Sequence, residues 1–310
     1  MQVPVIICHQ PASDARQNVF ATKSLPMRAV FALLIAATAA CLAGAWPAGA
    51  AGNPEIVEIP RDENFKLKAV LYRPEGAGPF PAVIGLHNCT GLNNNAGVMG
   101  ARYRDWGQRL VNDGFAVLFP DSNSSRGLGS QCAASQRSLR VDHERVADAV
   151  AARLWLQQQS WVAADRVSLL GWSSGAIAAL WAVRARTQML MQVQDGPDFR
   201  SAVALYPGCR RLSNAAWSAR VPTLILIGRA DDQASAAVCQ QMVTGTRGRS
   251  ARVAIQVYPG AYHDFDHPNR PLQVRAGLPF SVDGTGNAHT GTHPSARADA
   301  LKRVPDWFRQ

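Results

Sequence analysis

The stretch VSLLGWSSGAIAAL, Val167 to Leu180, constrains this chain more than any other. A short apolar run ends at Gly171, and a small-residue helical pattern begins beside Gly175, with Trp172, Ser173 and Ser174 between them. A buried strand must therefore turn almost directly into a helix. Such joints belong to parallel sheets, whose strands are linked by crossover helices. The turn is tight enough that side chains at its two flanks would collide, which glycines at 171 and 175 avoid. A serine at its centre then projects from the top of the sheet, beside the N–H groups that open the helix.

The rest of the chain repeats this alternation. Strands are expected at Ile56–Pro60, Leu67–Tyr72, Ala82–Leu86, Ala116–Phe119, Val167–Leu170, Ala202–Leu205, Thr223–Ile227 and Val253–Tyr258. The later ones are continuous apolar runs, as in strands buried on both faces. Helical patterns cover Gly100–Asn112, Leu139–Gln158, Ser174–Arg186, Ser235–Thr244 and Ala296–Phe308. The first two strands have no helix between them and should form an antiparallel hairpin. No repeat or low-complexity linker follows residue 53, so residues 51–310 read as one α/β domain with a mostly parallel, eight-stranded sheet and helices on both faces. Two stretches fit no regular element, the Ser/Gly-rich residues 121–136 and the polar residues 264–293. Both follow strand ends, where open α/β sheets bind ligands.

Residues 1–50 read as an address. Arg28 precedes the apolar run AVFALLIAATAACLAGAW, and Ala48-Gly49-Ala50 forms a small-x-small cleavage site that would leave Ala51 as the first mature residue. Met27 is an alternative start. An uncleaved anchor and a lipid-modified Cys41 are the rival readings, but the run is short for a span and Cys41 lacks the usual preceding leucine. The expected destination is the periplasm or the exterior, with no stable membrane association once the leader is removed. The net charge of +10 comes from arginines scattered along the chain, with no basic helix interleaved with aromatics, so nucleic acid is not an expected partner. Cys89, Cys132, Cys209 and Cys239 remain in the mature part, an even number that suits an oxidising compartment. They allow three pairings, or four buried thiols; without CxxC pairs no zinc site is expected, nor any cofactor.

Serine is inert without a base and an oxyanion site. Ser173 is the candidate nucleophile, with Ser174 the alternative that glycines do not frame. Past the strand TLILIG lies Asp231, placed to orient an imidazole, with Asp232 as its local competitor. Past VAIQVYPG lies His263, the candidate base, with His267 as the alternative and His289 and His293 expected in solvent. The order Ser, Asp, His is the one that suits a nucleophile at this joint. An oxyanion hole would use the backbone N–H of Ser174 and that of Asn88 or Cys89, in the turn after the third strand; His87 is expected to brace that turn.

The series GLHNCTGL, FPDSNSSRGLGSQC, GWSSG, LIGRADD and YPGAYHDFD resembles, in this order, the dienelactone hydrolase family of the α/β-hydrolase superfamily. The resemblance implies the α/β-hydrolase fold and a small-molecule ester substrate. Dienelactone hydrolases carry cysteine as nucleophile, whereas Ser173 stands here, so a serine carboxylic-ester hydrolase is expected. A peptidase or acyltransferase with the same triad is the alternative, and a non-catalytic binding protein is disfavoured by the intact Ser173, Asp231 and His263. Family topology makes the third and fourth strands neighbours, and the sixth and seventh, which implies Cys89–Cys132 and Cys209–Cys239 bridges. Arg126 could receive a substrate carboxylate or bond local carbonyls. Trp172 could wall an acyl pocket or pack under the turn.

Overall fold

The computed structural model describes residues 53–310, apart from residue 95 and residues 134–137 and 187–195. The expected leader and its cleavage site lie outside the described residues. Strands β1 (Glu55–Pro60), β2 (Lys66–Tyr72), β3 (Phe80–Leu86), β4 (Ala116–Pro120), β5 (Val162–Trp172), β6 (Ala202–Leu205), β7 (Thr223–Gly228) and β8 (Val253–Tyr258) form one sheet in the order β1-β2-β4-β3-β5-β6-β7-β8. β1 pairs antiparallel with β2, and β2 with β4; the other neighbours are parallel. The sheet is therefore the eight-stranded, mostly parallel one that the apolar runs imply.

Helices α1 (Ala101–Asn112), α2 (Glu144–Gln157), α3 (Ser174–Ala182), α4 (Arg210–Asn214), α5 (Ala236–Thr244) and α6 (Pro294–Arg309) connect and cover it. Every residue of β4, β6 and β7 is buried, which explains why these strands lack alternation. Among the described residues no helix is long and apolar enough to cross a membrane.

Three differences from the sequence-based elements have local causes. Helix α2 begins at Glu144, five residues after Leu139, because the Glu144 carboxylate turns back to accept the Arg140 N–H at 2.8 Å. Leu139 and Val141 are buried all the same, so their apolar spacing belongs to a turn and not to a helix. Helix α3 stops at Ala182 because the chain beyond it bonds across to residues 218–220, through Ala185 N–H to Ser218 O and Arg220 N–H to Val183 O. The polar stretch 264–293 contains a small hairpin, β9 (Gln273–Arg275) against β10 (Ala288–Thr290). A bridge from Thr290 to His263 and a bond from Gly291 N–H to His263 O fasten this hairpin beside the β8 end.

Candidate active site

Strand β5 runs into α3 through Ser173, whose φ of 52° is a left-handed conformation that costs a non-glycine residue strain. The two glycines are needed for space. A β-carbon at 171 would lie 2.4 Å from the carbonyl oxygen of Gly175, and one at 175 would lie 2.5 Å from that of His87. The joint is thus packed backbone to backbone against its own helix and against the turn after β3.

Three strand ends converge on Ser173. Its hydroxyl lies 3.0 Å from Nε2 of His263, which follows β8, and Nδ1 of His263 lies 2.8 Å from Oδ2 of Asp231, which follows β7. The other oxygen of Asp231 accepts the N–H groups of Gln233 and Ala234 at 3.0 and 2.8 Å, which fixes the carboxylate's orientation. This sets the tautomer: Nδ1 carries the proton and donates to Asp231, leaving Nε2 free to accept from serine. Burial pulls the His263 pKa down, but the charge and hydrogen bond of Asp231 outweigh it and hold the value above the ordinary 6.5.

The competing residues are engaged elsewhere. The Ser174 hydroxyl accepts from Arg145 at 3.3 Å. Asp232 accepts both the backbone N–H and the ring of His289, at 2.8 and 2.6 Å, and Tyr262 packs on that ring. His289 is therefore paired and not simply solvated, and His293 is likewise occupied, its side chain capping α6 at Ala296. His267 borders a cavity, where burial and the charges of Arg102 and Arg270 push its pKa down to about 4.

The oxyanion candidates separate cleanly. The Asn88 N–H is spent on the Tyr103 hydroxyl at 2.9 Å, which corrects its place among the expected donors. Among the described residues, the amides of Cys89 and Ser174 have no hydrogen-bond partner. His87 braces the turn as expected: Nδ1 donates to Asn88 O at 2.7 Å, while Nε2 accepts the Ser122 N–H at 3.2 Å. Its full burial, with Arg145 nearby, holds its pKa well below the ordinary value, so it serves as a neutral strut.

The cysteines form two bridges, Cys89–Cys132 and Cys209–Cys239. The first ties the Cys89 turn to the loop after β4. Arg126, in that loop, is not positioned as a receptor for substrate. Its guanidinium makes a two-pronged bond to Asp148 at 2.8 and 2.7 Å, reaches Ser122 O at 2.9 Å and lies over the Phe65 ring. Trp172 is fully buried among Tyr103, Trp106 and Phe119, so it packs under the joint and walls no pocket. A cavity of about 620 Å³ opens beside the Asn88 turn, bordered by Thr90, Leu92, Arg102, His267 and Arg270. Among the described residues no cluster of His, Cys, Asp or Glu is placed to hold a metal ion.

Sequence reasoning passed over both acids of the YHDFD stretch, Asp264 and Asp266. Asp264 pairs with Arg102 at 2.5 Å and with Arg270, and Asp266 accepts three side-chain hydrogen bonds. The available signal was two carboxylates flanking Phe265 immediately after the candidate base.

A family model described as the dienelactone hydrolase family matches residues 67–310. No curated protein matches significantly. Among solved structures, a dienelactone hydrolase candidate from Klebsiella pneumoniae is 21% identical with a TM-score of 0.60, over 84% of this chain and 100% of that one. The dienelactone hydrolase of Anabaena variabilis is 18% identical with a TM-score of 0.56, over 83% and 97%. Esterase 2 of Thermogutta terrifontis with propionate bound is 15% identical with a TM-score of 0.56, over 82% and 93%. At these identities the likeness is one of fold.

Proposed function

Since the chain belongs to the dienelactone hydrolase family, we propose that it is an exported serine hydrolase that cleaves small carboxylic esters, lactones included, with Ser173, His263 and Asp231 as its catalytic triad. One observation carries this reading. A serine hydroxyl, a buried imidazole and a doubly anchored carboxylate, from three separate strand ends, stand in one hydrogen-bonded line at 3.0 and 2.8 Å.

The chemistry follows from that line. His263 takes the Ser173 proton as Oγ attacks the ester carbonyl, and Asp231 stabilises the imidazolium that forms. The amides of Cys89 and Ser174 receive the oxyanion; each such donor is worth ~2.7–4 kcal/mol in other hydrolases. Collapse of the tetrahedral intermediate breaks the ester C–O bond, and the imidazolium protonates the departing alkoxide. Water, deprotonated by His263, then attacks the acyl-Ser173 carbonyl; collapse of this second intermediate breaks the acyl–Oγ bond, the imidazolium returns its proton to Ser173, and the acid leaves.

The two disulfides support folding in an oxidising compartment, as the leader implies. Amino-terminal sequencing of the exported protein should find Ala51 first. A panel of p-nitrophenyl esters of increasing acyl length, with a peptide amide beside them, tests the activity. Ester turnover by wild type that Ser173→Ala abolishes supports the proposal. Turnover of the amide alone would favour a peptidase.

A further inference from the structure

Under the Ser173–His263 pair lies a buried carboxylate that takes no part in the acyl transfer. Asp266 is fully buried, and its oxygens collect hydrogen bonds from three parts of the fold. Oδ2 accepts the indole N–H groups of Trp172 and Trp106 at 2.8 and 2.7 Å. Oδ1 accepts the Tyr206 hydroxyl at 2.7 Å and lies 3.5 Å from Nε of Arg102. Trp172, Tyr206 and Arg102 each adjoin the triad in sequence or space. Trp172 precedes Ser173, Tyr206 holds its ring 4.5 Å from the His263 imidazole, and Asp266 lies three residues beyond His263.

A buried carboxylate is tolerated only when its oxygens are satisfied, and charge-assisted bonds in a dry interior are strong. Displacing any of these donors would leave charge unmatched, so the assembly is stiff. It also stands next to two strained backbones, since Ser173 has φ 52° and Tyr206 has φ 42°. Non-glycine residues keep such conformations where their surroundings over-determine them. At Ser173 the neighbouring side chain, and at Tyr206 its own, is bonded to Asp266.

We propose that Asp266 is a positioning residue for acyl transfer. Resting on the triad reading, the proposal is that its carboxylate joins Trp172, Tyr206 and the His263 loop, and so sets the Ser173–His263 geometry and the charge around the imidazole. The groups facing His263 are Asp231 from the loop after β7, Asp264 from its own loop, Arg102 from α1, Tyr206 from the β6 end and Ser173. Arg102 and Arg270 are balanced there by Asp264 and Asp266. Neutralising Asp266 leaves excess positive charge near the ring and disfavours the imidazolium.

The test compares wild type, Asp266→Asn, Tyr206→Phe and Trp172→Phe on a soluble p-nitrophenyl ester. Rates are normalised to the sites titrated by a fluorophosphonate at Ser173, so unfolded protein is not counted. Asp266→Asn should lower kcat per titrated site by about 10²-fold, the scale of a small misplacement, with KM little changed. Its acidic limb of kcat/KM should move to lower pH, which a purely structural role would not cause. Tyr206→Phe and Trp172→Phe each remove one donor and keep the charge; they should lower kcat by less and leave the limb in place. Wild-type kcat per site in Asp266→Asn, or a reduced kcat with the limb unmoved, overturns the proposal. Should Asp266→Asn not fold, wild-type kcat per site in both other variants overturns it, and a loss in both supports it. No reaction of wild type at Ser173 overturns the triad itself, and this proposal with it.

Discussion

A β-carbon on Gly175 would lie 1.9 Å from the carbonyl oxygen of Leu86. The start of α3 and the end of β3 therefore approach as closely as two backbones can, which holds the Cys89 turn against the joint that carries Ser173. Neither backbone can yield without moving a central strand. Gly175→Ala should destabilise the fold by about 1–3 kcal/mol, measured by denaturant unfolding, and should slow acylation of the folded fraction.

The pH dependence follows from His263. Its pKa is lowered by burial but raised further by Asp231, so it stands above 6.5 in the folded protein. The base must be neutral, so kcat/KM should climb with pH through a value above 6.5. Stability runs the other way. The ion pair's contribution is fully present below the unfolded value and is lost as pH rises through the folded one. Asp231→Asn should move the acidic limb to lower pH and reduce kcat by about 10⁴-fold, the scale known for serine proteases. A pH–rate profile of both forms checks this.

Arg126 is a structural cation in this account. Asp148 is fully buried, and its other cationic contact is Arg61 at 3.5 Å. Arg126→Gln should therefore cost up to about 3 kcal/mol, near the lower end for a broken buried pair. Its KM for a neutral ester and for a carboxylate-bearing ester should change alike. A selective rise for the anionic substrate would return Arg126 to the binding site.

The two disulfides should separate in their effects. Removing a native bridge typically costs ~2–5 kcal/mol, so Cys132→Ala and Cys209→Ala should both lower the midpoint of thermal unfolding. Cys132→Ala also frees the turn that carries the Cys89 amide, so it should lower kcat in the folded protein more than Cys209→Ala does. Matched kcat losses would mean that this turn needs no clasp.

Much of this arrangement was legible from the chain alone. Strands buried on both faces must be continuous apolar runs, which made β4, β6 and β7 visible, and the glycines around Ser173 announced a joint whose sterics admit little else. Asp231 was readable because it stands just past such a run, and His263 because it follows the largely apolar, half-buried strand β8. The hidden parts are tertiary. Arg102 occupies an ordinary helical position in α1, and only packing shows that it is buried between Asp264 and Asp266. The strands β9 and β10 have three residues each, too few for a period. Asn88 and Cys89 were indistinguishable until the Tyr103 hydroxyl, fifteen residues on, was found on the Asn88 amide.

The central claim is that Ser173 is the nucleophile. Incubating the folded protein with a fluorophosphonate and mapping the adduct by mass spectrometry tests it most directly. A single adduct on the peptide containing Ser173, formed in step with loss of esterase activity and absent from His263→Ala, is the predicted result. An unlabelled Ser173 in protein that still hydrolyses esters would contradict it.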